Sequence, residues 1–74
     1  MNEAARMVEA LLFAAAEPLS ETDLARRLPA NVDVLGALEE VRGFYAGRGV
    51  ELACVAGHWR FQTAADLAFL MTEE

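Results

Sequence analysis

Seventy-four residues carrying twelve acids, six arginines and no lysine form one domain at most, with a formal net charge of -6. Such a chain buries only roughly 60% of its unfolded surface and gains from a staple or a partner; with Cys54 the single cysteine and His58 the single histidine, neither a disulfide nor a four-ligand zinc site is available. Arg6, Arg26, Arg27, Arg42, Arg48 and Arg60 are too scattered to form a phosphate-binding face, no apolar run approaches the ~20 residues of a membrane span, and Met1-Asn2-Glu3 lacks the basic start of a secretory signal, so a cytoplasmic protein is expected.

The first element is a helix over residues 3 to 16, where Ala4, Met7, Val8, Leu11, Leu12 and Ala15 recur at the spacing of one buried face. Pro18 stops it and pushes Glu17 toward an extended conformation. Ser20 is placed to cap a second helix over 21 to 28, with Asp23 at the third helical position as in a capping box; Leu24, Ala25 and Leu28 face inward. A third helix spans about 32 to 46, capped by Asn31 or Asp33, with a stripe of Val34, Leu35, Leu38, Val41 and Tyr45. Gly47 and Gly49 end it.

The period then changes from 3.6 to 2. Val50, Leu52, Cys54 and Ala56 alternate with Glu51, Ala53 and Val55, and Trp59, Phe61 and Thr63 alternate with Arg60 and Gln62. A type II′ turn at Gly57-His58 predicts a hairpin pairing Ala56 with Trp59 and Cys54 with Phe61, which puts all four on one face, with Leu52 beside them. Thr63 is expected to cap a last helix from about residue 64, with Asp66 near its positive end. The order helix, extended link, helix, helix, hairpin, helix is α+β, mainly α. It is a winged helix, a three-helix bundle with a helix-turn-helix and a two-stranded wing, followed by a C-terminal helix.

A winged helix raises the alternative of a DNA-binding transcription regulator, in which the third helix enters the major groove. The outward face of that helix carries Asp33, Gly36, Glu39, Glu40 and Gly43, the wrong residues for base edges or phosphates. Little or no direct DNA binding is expected. Catalysis is not expected either. His58 lies at a turn tip with no neighbour to orient it, and Cys54 reads as a small buried hydrophobe. Glu39-Glu40 are adjacent on a helix and diverge by about 100°; they and Arg26-Arg27 are solvated charges. No phosphate loop or nucleophilic triad is present, and no cofactor or metal is implied.

Two groups of residues carry a family resemblance. Val8-Glu9-Ala10-Leu11-Leu12-Phe13, Glu17-Pro18-Leu19-Ser20 and Asp23-Leu24-Ala25, then Gly49-Val50-Glu51-Leu52, Val55-Ala56-Gly57, Trp59-Arg60-Phe61-Gln62-Thr63 and Asp66-Leu67-Ala68, resemble the opening, the wing and the following helix of segregation and condensation protein B. His58 replaces a frequent glycine and Cys54 a frequent polar residue. The resemblance implies a non-enzymatic subunit of a bacterial condensin-like complex that acts in chromosome condensation and segregation at the nucleoid. It implies two winged-helix domains, of which residues 1–74 would be the first and the second would be absent from this chain. It also implies homodimerisation, placed largely in the first domain, and a kleisin partner, segregation and condensation protein A. The kleisin leads in turn to a structural-maintenance-of-chromosomes ATPase, and ATP hydrolysis belongs to that partner.

The residues themselves show surplus apolar surface. Ala64-Ala65-Asp66-Leu67-Ala68-Phe69-Leu70-Met71 is apolar on nearly every side, whereas a surface helix needs one stripe. Phe13 falls opposite its helix's main stripe and Phe44 flanks the stripe of the third helix. Phe13, Phe44, Trp59, Phe69 and Leu70 are the candidate protein-interface residues; no catalytic, cofactor-binding or metal residue is assigned.

Overall fold

The computed structural model describes residues 1–72. The chain runs α1 (Glu3–Ala14), β1 (Leu19–Ser20), α2 (Glu21–Ala25), α3 (Val34–Tyr45), β2 (Val50–Val55), β3 (His58–Thr63) and a terminal 3₁₀ helix (Ala65–Met71). Three helices and an antiparallel sheet in the order β1-β3-β2 make a winged helix, as expected from the change of period. The extended link after Pro18 adds a third strand, pairing Leu19 with Trp59 and Ser20 with His58.

Each α-helix starts on a side-chain cap. Asn2 Oδ1 accepts from the Ala5 N–H at 2.9 Å, while the Asn2 backbone N and Nδ2 donate to Glu40 at 2.8 and 2.9 Å; the start of α1 is thereby tied to α3. Ser20 Oγ accepts from the Asp23 N–H at 3.1 Å and the Ser20 N–H donates to Asp23 Oδ2 at 3.0 Å, a complete capping box. Asp33, one of the two residues expected to cap α3, accepts from the Gly36 N–H at 3.0 Å. A Cβ at Gly36 would lie 2.4 Å from Asp33 Oδ2, so the glycine leaves room for the capping carboxylate. The helices are shorter than expected. α1 stops at Ala14, where the chain bends at Ala16-Glu17 to enter β1, and α2 stops at Ala25, where turn residues follow.

Ala5, Val8 and Leu12 of α1, Leu24 and Leu28, Ala37, Leu38 and Val41 of α3, and Leu52 and Trp59 of the sheet form the core. Leu35 is a correction: it is exposed. At about 100° per residue, Val34, Leu38, Val41 and Tyr45 share one line and Ala37 lies beside it, while Leu35 falls a quarter-turn away. Ala25, at the end of the shortened α2, is exposed as well.

The hairpin register also corrects the expectation. The loop is Ala56-Gly57, with φ of 52° and 79°. Two left-handed residues define a type I′ turn, in which glycine takes the second central position without a Cβ penalty. The pairs become Val55 with His58, Cys54 with Trp59, and Leu52 with Phe61. Two alternating positions separate this register from the expected one, so side-chain parity survives and Leu52, Cys54, Trp59 and Phe61 still share a face. Cys54 is nevertheless exposed, not buried as expected: it lies on the outer strand β2, while its cross-strand partner Trp59 on the central strand is buried. Thr63 is the last ladder residue, opposite Val50, and caps nothing. The segment after it is a 3₁₀ helix with no side-chain cap and no buried residue.

Candidate protein-binding surface

Tyr45 on α3 and Glu9 on α1 are brought together from 36 positions apart, and the phenol donates a hydrogen bond to the Glu9 carboxylate. That bond pushes the Tyr45 phenol above its ordinary 10.0, and partial burial adds to the shift. The Tyr45 ring meets Phe61 edge-on at 5.0 Å and Phe44 at 5.3 Å, an aromatic chain running from the sheet to the surface. Arg48 covers the outer end, with its guanidinium 4.5 Å from the Phe44 ring.

Beside this chain lies an open groove of about 630 Å³. One wall is α1, with Glu9, Ala10, Leu12 and Phe13; the other is Trp59, Arg60 and Phe61 of β3. Ala15, Ala16, Glu17 and Pro18 close one end, and Tyr45 and Val50 form part of the lining. A smaller concavity continues past Glu17, Pro18 and Arg60 to Asp23, Val55 and His58. There Ser20, chiefly through its backbone N–H, holds the Asp23 carboxyl below its ordinary 3.8, with Arg26 and His58 adding to the effect. Arg42 does not line the groove and packs 4.8 Å over the Trp59 ring.

Of the five candidate interface residues, four are exposed and one is buried. Phe13 is 84% exposed on the rim of the groove. Phe44 is half-exposed and belongs to the aromatic chain. Phe69 and Leu70 lie on the terminal 3₁₀ helix, exposed together with Met71. Trp59 is 4% exposed and belongs to the domain's own core. The 3₁₀ helix is held at its start, where the Ala64 N–H donates to the Gly49 carbonyl at 2.9 Å and the Ala65 N–H to Glu51 Oε1 at 2.8 Å, and Leu67 is half-buried beside Gly49. Sequence periodicity does not find the groove. Glu9 and Ala10 lie outside the apolar stripe of α1, and the fit of Tyr45 to Glu9 depends on how two distant helices cross.

On the outward side of α3, Asp33, Gly36, Glu39 and Gly43 are exposed and Glu40 is held by Asn2. Among the described residues no group of three or more His, Cys, Asp or Glu side chains is arranged to hold a metal, and no helix is long and apolar enough to cross a membrane.

A family model described as segregation and condensation complex subunit ScpB matches residues 6–74. Comparison with proteins of curated function gives no match. A conserved hypothetical protein from Chlorobium tepidum is similar in structure at 28% identity and a TM-score of 0.76, over 93% of this chain and 46% of that one. ScpB from Mycobacterium tuberculosis is similar at 27% identity and a TM-score of 0.76, over 93% and 45%. The chain thus spans about half the length of both. A dimer of the ScpB N-terminal domain complexed with a ScpA peptide is similar at 31% identity and a TM-score of 0.72, over 92% of this chain and 89% of that one.

Proposed function

The chain belongs to the segregation and condensation complex subunit ScpB family, and from that premise we propose that it is a non-enzymatic protein-interaction and dimerisation module. It serves a condensin-like complex in chromosome condensation and segregation. Its partners are a second copy of itself and the kleisin subunit ScpA, and through ScpA a structural-maintenance-of-chromosomes ATPase. The observation that carries this reading is the near-complete mutual coverage with an ScpB N-terminal domain whose solved form is a dimer holding a ScpA peptide.

The exposed apolar side chains supply the means. Phe69 and Leu70 project from a 3₁₀ helix that has no fully buried residue, and Phe13 and Phe44 add aromatic area. An aromatic side chain buries about 150–250 Å². A two-fold interface uses each such residue twice, toward the roughly 800 Å² per partner that a stable interface needs. The acidic outer face of α3 supports a protein partner over DNA.

Sedimentation at tens of micromolar, with and without a ScpA peptide, tests the reading. A dimer that takes up the peptide is expected. Phe69→Glu and Leu70→Glu should yield a folded monomer, with the circular dichroism unchanged. A wild-type chain that stays monomeric and ignores the peptide refutes the reading.

A further inference from the structure

The turn type fixes where the hydrogen-bonding groups of β3 point. In a two-residue hairpin the residues flanking the loop exchange both bonds, so the N–H and C=O groups of His58, Arg60 and Gln62 face β2. Those of Trp59, Phe61 and Thr63 face the opposite side. β1 covers that side only at Trp59, which pairs with Leu19, and at His58, opposite Ser20. Extended backward, the same register would put Glu17 opposite Phe61. The bend at Ala16-Glu17 takes the chain away first, and Pro18 has no N–H to offer. Among the described residues no backbone hydrogen bond reaches Phe61 from that side. β3 is therefore a central strand near the turn and an edge strand from Phe61 onward, and this free edge forms one wall of the groove described above.

Edge strands are commonly guarded by lysine, proline, a bulge or a covering element. The β3 register runs without interruption from His58 to Thr63, and what faces its free edge is an apolar trough rather than a cover. Within the groove Glu9 and Glu17 stand against Arg60, while beyond Pro18 Asp23 shares the adjoining concavities with Arg26 and Arg27. Asp23 is also approached by Arg26 at 3.7 Å, which leaves the two glutamates to set the sign of the groove. A second copy of this acidic chain is a poor electrostatic match. An apolar segment with a basic side chain is a good one.

We infer that the groove between α1 and the free edge of β3 at Phe61 receives an extended, apolar, basic segment of a partner protein, which adds to β3 as a short strand. Main-chain bonds to Phe61 supply affinity, and alternate side chains enter the aromatic trough beside Tyr45 and meet Glu17 at its mouth. The inference rests on the partner binding proposed above and locates it away from the terminal 3₁₀ helix.

The test is amide NMR and amide exchange on the 74-residue protein titrated with the ScpA peptide, together with two variants. Shifts should concentrate on Glu9–Pro18 and Arg60–Thr63, and the Phe61 amide should become protected from exchange. Ala10→Arg, which fills the groove from an exposed helix position, should weaken the peptide roughly tenfold or more. Glu17→Lys should weaken it less and flatten its salt dependence. Both variants should keep the wild-type circular dichroism and oligomeric state. Peptide shifts confined to the terminal 3₁₀ helix or α3, or undiminished binding by a folded Ala10→Arg variant, overturn this location while leaving partner binding intact. A wild-type chain that does not bind the peptide at all refutes both.

Discussion

Replacing Tyr45 with phenylalanine removes one oxygen and keeps the ring that packs edge-on against Phe44 and Phe61. The loss is the hydrogen bond that joins α3 to Glu9 on α1. Bonds to a charged acceptor contribute about 1.5–3 kcal/mol. Glu9 is only half-buried and regains water when the phenol is gone, which brings the cost below that range, to about 1–1.5 kcal/mol. For a domain of this size each kcal/mol lowers Tm by roughly 4–8 °C. Urea denaturation should show the midpoint lowered by about 1 M with an unchanged slope. The chain has one tyrosine, so phenolate absorbance reports this group alone. It should titrate above 10.0 in the wild type and fall back toward 10.0 in Glu9→Gln. The sign of the linkage follows from the raised value. The folded state holds the proton more tightly, so this contribution is complete below the unfolded value of about 10 and is lost as pH rises through the folded one. An unchanged midpoint in Tyr45→Phe, with a wild-type phenol titrating at its ordinary value, would refute the bridge.

Four further outcomes are expected. Ala56→Asn, at a φ of 52° where asparagine is better tolerated, should stabilise the hairpin by on the order of 0.5 kcal/mol, read as a higher Tm. Leu24→Ala, at a fully buried position, should cost about 2–5 kcal/mol and leave little folded protein by circular dichroism. Leu35→Ala, on the exposed side of α3, should stay within about 0.5 kcal/mol of wild type. Acid titration followed by urea midpoints should show the contribution of the α2 cap fully present above pH 3.8 and lost as pH falls through the depressed value of Asp23; Asp23→Asn should remove that dependence.

The periodic part of the fold was legible because it follows from short-range geometry. The capping box at Ser20 and Asp23, the stripe through Leu38 and Val41, and the shared face of Leu52 and Trp59 all rest on spacings of two to four residues. The failures came where the third dimension decides. Cys54 has the right parity for the core, yet parity does not say which strand lies on the outside of the sheet. Gly57 marked the turn but not which central position it takes, since that depends on the twist of the flanking strands. The 3₁₀ helix read as an α-helix from composition, but Thr63 stays in the ladder and no packed face supports longer turns. The groove was invisible because its walls belong to segments far apart in the chain. Its free edge exists because of a bend after α1 that composition does not encode.

Ser20 belongs to two elements at once, the last residue of β1 and the N-cap of α2. Pulling the wing away from the bundle would draw β1 with β3 and break the box that starts α2. The wing and the second helix are therefore expected to open as one cooperative unit, with amide exchange rates that move together under mild denaturant. The 3₁₀ helix, whose hydrogen bonds to the rest of the domain come from Ala64 and Ala65 at its start and which half-buries Leu67 alone among its large side chains, lies outside that unit. Its amides should exchange on a faster, independent clock, leaving the most apolar stretch of the surface free to rearrange without loosening the fold that carries it.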